Sequence, residues 1–321
     1  MKVLLIGLGS MGHNHLRILK LLVKKEDIFI FDNNKLKLKK SLIELGKTQS
    51  TNLNDLIKLA DKIIIATNTD SHFQLIKKCL KFKKNKIFVE KPYVNKISQA
   101  KNLERIFKKN KSEIFVGLIE RFNSSVISLK EYLGNKKILS IDINRSARVP
   151  TRNKDIDVVS DLMIHDIDLA IQFNGDIKSI DATGIFDKKN IELAKVNLTH
   201  KNNSISSLIS SRITDKKIRN LDILGNNFFV SANLLESEFT VYKQAKYEQR
   251  LNVPYKISSR LEKIQSNPSE PLLMELDYFL NIFDKENSPF PSTFSHAYNF
   301  KLLKICKEIS KKVLKCGIKI N

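Results

Sequence analysis

The first sixteen residues, MKVLLIGLGSMGHNHL, leave few folds open. Val3 to Ile6 is a branched apolar run that stops at Gly7, Gly9 and Gly12, after which apolar residues recur at helical spacing (Met11, Leu16, Leu19, Leu22). The order is strand, glycine turn, helix. In such a turn the first glycine allows the tight bend, the second lets backbone approach a pyrophosphate, and the third lets helix and strand pack closely. The helix start adds free N–H groups and a positive dipole end for phosphates. A second strand, Ile28 to Phe31, ends in Asp32, 20 residues beyond Gly12, where an acid accepts hydrogen bonds from an adenosine ribose. The turn therefore predicts a dinucleotide site built from Gly7, Gly9, Ser10, Met11, Gly12, Asp32 and Asn33.

Further strands are expected at Ile63 to Thr67, Ile87 to Glu90 and Ile114 to Leu118, alternating with helices near 10–24, 34–45, 53–60, 71–82 and 97–109. Near-continuous apolar strands alternating with helices predict a parallel, doubly wound Rossmann sheet over residues 1–118, with its ligand at the carboxyl ends of the strands. The loop holding Thr67, Asn68 and His72 lies at one such end, and Glu90-Lys91-Pro92 at the next, so these residues extend the predicted cofactor site. Lys91, with Pro92 fixing the backbone beyond it, can project its ammonium into the crevice. Asp32 would repel a 2′-phosphate and Asn33 and Asn34 supply no cation, so NAD is expected over NADP; Lys35 is the one nearby residue that argues for NADP.

From about residue 119 the pattern changes. After a helix near 123–133, strands Ile138–Ala147, Ile177–Ile185, Ile191–His200, Ser204–Ile213, Ile218–Leu224 and Phe228–Ala232 follow one another with little helix between them. Their alternating polarity predicts an α+β domain over 119–321 with an open, mostly antiparallel sheet. Its exposed face is expected to pair with a second copy, giving a homo-dimer or homo-tetramer. Residues 243–270 are the least regular, and helices near 271–284 and 296–314 close the chain.

One helix interrupts these strands. In VVSDLMIHDIDLA (158–170), Asp161 and His165 are four apart and share a face. Carboxylate and imidazole form a workable acid/base pair, and the apolar residues around them predict that both lie in a cleft. Asp168 reaches the same face, but no second histidine stands at ligand spacing, so no metal site is expected.

The net charge of +22 raises the question of nucleic acid, yet the lysines recur throughout with Ile and Asn rather than along one face. That distribution predicts a solvated basic surface and no nucleic-acid partner; such a surface steers anionic small substrates. No run approaches the ~18 apolar residues of a membrane span, and the four apolar residues between Lys2 and Gly7 are too few for a signal peptide. A cytoplasmic protein is expected, with Cys79, Cys306 and Cys316 as ordinary thiols.

Five segments in order, GLGSMGHNH (7–15), IIIATNTDSH (63–72), VEKP (89–92), VGLIERFN (116–123) and DLMIHDID (161–168), resemble the Gfo/Idh/MocA oxidoreductases over essentially the whole length. The resemblance implies that Lys91, Asp161 and His165 occupy the catalytic positions. VGLIERFN, the arginines from 145 to 152, and KIRNLDILGNNFFV (217–230) look most like the nucleotide-sugar 3-dehydrogenases of that family. This implies a UDP-sugar substrate, oxidised at the 3-hydroxyl of a UDP-N-acetylhexosamine, with a free polyol such as an inositol as the alternative. A non-catalytic NAD-binding regulator is the alternative of another class. Arg121, Asn123, Arg145, Arg148 and Arg152 are the candidates for the substrate pyrophosphate, because guanidinium forks match phosphate oxygens.

Overall fold

The computed structural model describes residues 1–82, 86–110, 113–148, 156–248, 256–282 and 295–320. Two compact units divide the chain: 1–119 with 272–304, and 120–271 with 305–321.

The first unit holds a five-stranded sheet in the order β2-β1-β3-β4-β5, formed by Val3–Ile6 (β1), Ile28–Phe31 (β2), Lys62–Ile65 (β3), Lys86–Glu90 (β4) and Glu113–Gly117 (β5). Every pair is parallel. In β1 and β3 every side chain is buried. Alternate residues of a strand point to opposite faces, so both faces there are covered. The connecting helices are Ser10–Leu22 (α1), Lys35–Leu45 (α2), Leu53–Leu59 (α3), Thr69–Lys81 (α4) and Ile97–Asn110 (α5). The order reverses between β1 and β3, and this opens a crevice at their carboxyl ends.

Helix Pro271–Asn281 (α8; α6 and α7 are given below) and the first turns of His296–Cys316 (α9) return to this unit, a partition that the linear pattern of elements does not reveal. Aromatic packing accounts for it. The Phe279 ring lies 5.6 Å from Phe88 and 5.5 Å from Phe115, its carbonyl accepts a 2.8 Å hydrogen bond from the buried Lys62 ammonium, and Phe300 and Leu303 join the core around Ile87 and Val89.

The second unit is built on a nine-stranded sheet in the order β13-β12-β11-β10-β6-β9-β8-β7-β14. Its strands are Ile138–Ser146 (β6), Ile177–Asp187 (β7), Asn190–His200 (β8), Ile205–Ser211 (β9), Ile218–Gly225 (β10), Phe228–Asn233 (β11), Glu238–Glu248 (β12), Lys256–Gln265 (β13) and Ile318–Ile320 (β14). Neighbours are antiparallel except β6 with β9 and β14 with β7. Helix Ser124–Leu133 (α6) precedes it, and Ile164–Asn174 (α7) lies against β6 and β9. Burial alternates in the middle of β6, where Ile141 and Ile143 are buried and Asp142 is exposed.

β12 and β13 fall in and beside the segment expected to be least regular. Their polar residues pair across the hairpin, with Lys243 Nζ 2.9 Å from Glu262 Oε1 and Lys263 Nζ 3.1 Å from Glu238 Oε1, so charge complementarity supports strands that lack a continuous apolar run.

Candidate active site

The crevice in the first unit has a volume of about 540 Å³ and is lined by Gly7, Gly9, Asp32, Asn33, Thr67 and Asn68, as expected from their positions at strand ends. Gly7 has φ +100°, a left-handed conformation, and its N–H donates to the Phe31 carbonyl at 2.8 Å. A Cβ on Gly12 would lie 2.0 Å from the Gly7 carbonyl oxygen, whereas a Cβ on Gly9 would meet no heavy atom within 4 Å. The third glycine thus permits close packing, and the second leaves backbone open on the crevice side. No side chain caps the start of α1, where Ser10 and Met11 sit, so its first N–H groups suit a pyrophosphate.

Asp32 does more than the sequence expectation asked of it. Its Oδ2 accepts the Leu8 N–H and its Oδ1 the Asn34 N–H, both at 2.7 Å, which fastens the glycine turn to the end of β2. Each oxygen keeps a second lone pair for a ribose hydroxyl. The cation that lines the crevice with Asp32 is Lys37, not Lys35. Ser71, which also lines it, closes the β3–α4 loop through hydrogen bonds to Thr67 Oγ1 at 2.6 Å and the Asn68 carbonyl at 2.8 Å.

Two expected cofactor residues have other duties. His72 is fully buried between the Thr67 and Pro92 carbonyls, and Glu90 pairs at 2.7 Å with the fully buried His15. Burial alone would raise the Glu90 carboxyl, but the His15 hydrogen bond and charge, with Lys91, outweigh it and hold it below its ordinary value. Glu90 Oε2 also accepts the Lys91 N–H at 3.3 Å, and the Lys91–Pro92 peptide is cis.

In the second unit, Asp161 and His165 are both buried, at 8% and 7% exposure. The expected single α-helix differs in detail: Val159–Met163 is a π-helical turn that runs into α7, a local widening often found at functional sites. Asp157 starts it, its Oδ1 accepting the Ser160 N–H at 2.8 Å and its Oδ2 the Ser310 hydroxyl at 2.7 Å. A buried arginine that the sequence reading missed, Arg212, lies with Nη2 3.7 Å from Asp161 Oδ2. It stands at the end of β9, and only the pairing of β9 behind the helix reveals it.

The residues proposed for a pyrophosphate are mostly engaged elsewhere. Arg121 makes a two-pronged pair with Asp168 at 2.7 and 2.5 Å, both side chains buried. Arg145 is shared between Asp166 and Glu120 at 2.8 Å each, and Arg219 adds a 3.0 Å contact to Glu120. Burial drives the Asp166 carboxyl upward against the pull of Arg145, while Glu120 stays below its ordinary value because Arg145 and Arg219 outweigh its burial. Asn123 caps α6 by accepting the Ser125 N–H at 3.0 Å and donates to the Leu234 carbonyl at 2.9 Å. Arg148 is exposed and pairs with Asp215 at 2.9 Å. Arg152 lies outside the described residues. The physical reason is α7 itself: carboxylates at 166 and 168 are carried into the interior, and buried carboxylates require cations. Arg121 and Arg145 thus brace α7 through Asp168 and Asp166, while Asn123 caps α6.

Among the described residues no cluster of three or more His, Cys, Asp or Glu side chains could hold a metal ion, and no helix is long and apolar enough to cross a membrane.

Residues 1–118 match the model of the Gfo/Idh/MocA oxidoreductase family, described as an NAD-binding Rossmann fold. The chain is 24% identical over 285 residues, 88% of each protein, to UDP-N-acetylglucosamine 3-dehydrogenase of Acidithiobacillus ferrooxidans. It is 25% identical over 230 residues, 66% of this chain and 69% of the other, to myo-inositol 2-dehydrogenase of Thermotoga maritima. A solved structure of the Acidithiobacillus ferrooxidans enzyme has a similar fold, with a TM-score of 0.85 over 98% of this chain and 97% of that one at 22% identity. Levoglucosan dehydrogenase in complex with NADH gives a TM-score of 0.80 over 98% and 97% at 16% identity. With its glycine turn, crevice and parallel sheet, residues 1–118 of this chain form the NAD-binding Rossmann domain of the Gfo/Idh/MocA oxidoreductase family.

Proposed function

We propose that the chain oxidises a hydroxyl of a nucleotide sugar, a UDP-N-acetylhexosamine at its 3-position, with NAD. The observation that carries this reading is the buried pair Asp161 and His165 on the π-turn and α7, in a chain that aligns over 88% of its length with a UDP-N-acetylglucosamine 3-dehydrogenase. When bound, NAD supplies the acceptor for the hydride that leaves the sugar carbon. His165 accepts the hydroxyl proton. Asp161, held beside Arg212, orients the imidazole or a sugar hydroxyl, and Lys91 stabilises the developing alkoxide with its charge. Gly7, Gly9, Ser10, Met11 and Gly12 receive the pyrophosphate, Asp32 and Asn33 the ribose, and Thr67 and Asn68 close the far side of the crevice. The basic surface steers an anionic nucleotide sugar.

Mass spectrometry of the sugar after incubation with NAD tests the reaction. The expected product is lighter than UDP-N-acetylglucosamine by two hydrogens and regains a single deuterium, at carbon 3, on borodeuteride reduction. Oxidation of myo-inositol in place of the nucleotide sugar would favour the second reading, which the similarity to the inositol enzyme supports.

Self-association belongs to the same proposal. Leu224, Phe229, Tyr242 and Leu261 are each exposed and sit side by side in register across β10, β11, β12 and β13, with the Phe229 and Tyr242 rings 5.8 Å apart. A second copy of this chain is the proposed occupant of that row. Sedimentation should give at least a dimer's mass, and a monomer at micromolar concentration would contradict it.

A further inference from the structure

Both ring nitrogens of His72 face carbonyl oxygens. Nδ1 lies 3.1 Å from the Pro92 oxygen, Nε2 lies 3.0 Å from the Thr67 oxygen, and the ring is fully buried. A carbonyl oxygen only accepts hydrogen bonds, and a neutral imidazole has one N–H to donate; only the imidazolium donates from both nitrogens. In the neutral ring, a nitrogen lone pair confronts an oxygen lone pair at one of the two contacts. His200, another buried histidine, shows the ordinary solution: Nδ1 faces the Gly175 carbonyl at 2.8 Å, but Nε2 faces the Ser206 hydroxyl at 2.9 Å, which can donate.

What His72 joins gives the conflict a consequence. Thr67 and Ser71 line the cofactor crevice, while Pro92 directly follows Lys91. The other side of that turn is braced from α1, because Glu90 is held by His15 and accepts the Lys91 N–H. The charged group that faces His72 from a neighbouring element is Glu90 at the end of β4; the remaining influences on the ring are the Thr67, Pro92 and Tyr93 backbone groups. Burial is the largest influence and pushes the ring below the usual histidine value, while Glu90 and the backbone oxygens pull the other way.

We propose that His72 is a positioning residue: as the imidazolium it ties the crevice loop at Thr67 to the Lys91–Pro92 turn, and on losing its proton it releases one of the two. NADH, by ordering the Thr67 loop, favours the doubly tied form and draws a proton onto the ring. The inference rests on the proposed role of Lys91 only for what is positioned. Its test uses NADH alone, so it holds or fails independently of the sugar.

NADH binding to the full chain is measured by calorimetry between pH 6 and pH 8 in buffers of different ionisation heat. The wild type is expected to take up protons on binding and to bind about three- to tenfold more tightly at pH 6 than at pH 8. His72→Gln keeps one donor and does not titrate, so it should show neither effect while keeping NADH affinity at pH 8 within about fivefold. Equal proton uptake in both proteins, or none in the wild type, would overturn the proposal. Should His72→Gln fail to fold, long-range nitrogen–proton spectra of the NADH-saturated wild type at pH 6 decide: protons on both His72 nitrogens support the clamp, and a neutral tautomer contradicts it.

Discussion

Replacing His165 with alanine is expected to lower the rate of NAD reduction by about 100-fold or more, with NADH affinity unchanged within about twofold. Removal of a positioned general base forfeits the assistance it gives to proton transfer in the transition state, an effect of about 100- to 10,000-fold. Cofactor affinity should be spared, because the described residues that line the crevice belong to the first unit and His165 is not among them. Loss of a buried ring also leaves a cavity, so the thermal midpoint of the variant must be recorded. A folded variant whose kcat falls while its KM for NAD holds identifies chemistry as the damaged step. Near-normal turnover would remove His165 as the base. Asp161→Asn, which keeps the shape but not the charge beside Arg212, should fall between wild type and His165→Ala.

The glycine turn yields a second large effect, and it separates two glycines that look alike in sequence. In Gly12→Ala the new methyl would lie 2.0 Å from the Gly7 carbonyl oxygen. Relief requires the backbone to move, because Gly7 is itself pinned: a Cβ there would meet the Ala66 carbonyl at 2.6 Å, and its N–H is committed to Phe31. Overpacking of this kind costs about 1–3 kcal/mol or more, a fall in Tm of about 1.5–5 °C for a chain of this size. NADH affinity should drop at least about 100-fold, since the turn and the start of α1 separate. Gly9→Ala meets no protein atom within 4 Å. As a poorer helix cap it should cost about 1 kcal/mol at most. Its NADH affinity should nonetheless fall about tenfold or more, because the methyl stands on the side from which a pyrophosphate approaches. Calorimetry of both variants checks the pair: equal loss of stability, or retained affinity in Gly9→Ala, would contradict this account of the turn.

The legibility of this chain follows its physics. The parallel sheet could be read because strands buried on both faces must be apolar throughout, and Val3–Ile6 and Ile63–Ile65 have no other home. Gly7 and Gly12 could be read because a left-handed φ and a sub-van-der-Waals approach admit little else. Sequence does not tell an arginine that grips a phosphate from one that neutralises a buried carboxylate. That distinction lies in the face α7 turns inward, and here Asp166 and Asp168 claim Arg145 and Arg121. Long-range partners were equally hidden: His15 and Glu90 stand 75 positions apart, and Phe279 reaches Phe88 across most of the chain. The β12–β13 hairpin was obscured because its stability comes partly from cross-strand charges rather than from apolar alternation.

The most direct measurement is the initial rate of NAD reduction, followed by absorbance of the reduced cofactor, with UDP-N-acetylglucosamine, related UDP-sugars and myo-inositol each offered to the purified chain. Reduced cofactor is expected with a UDP-N-acetylhexosamine, little or none with the free polyol, and about 100-fold less with His165→Ala. Turnover of myo-inositol but of no UDP-sugar, or a UDP-sugar rate that survives His165→Ala, would contradict this expectation.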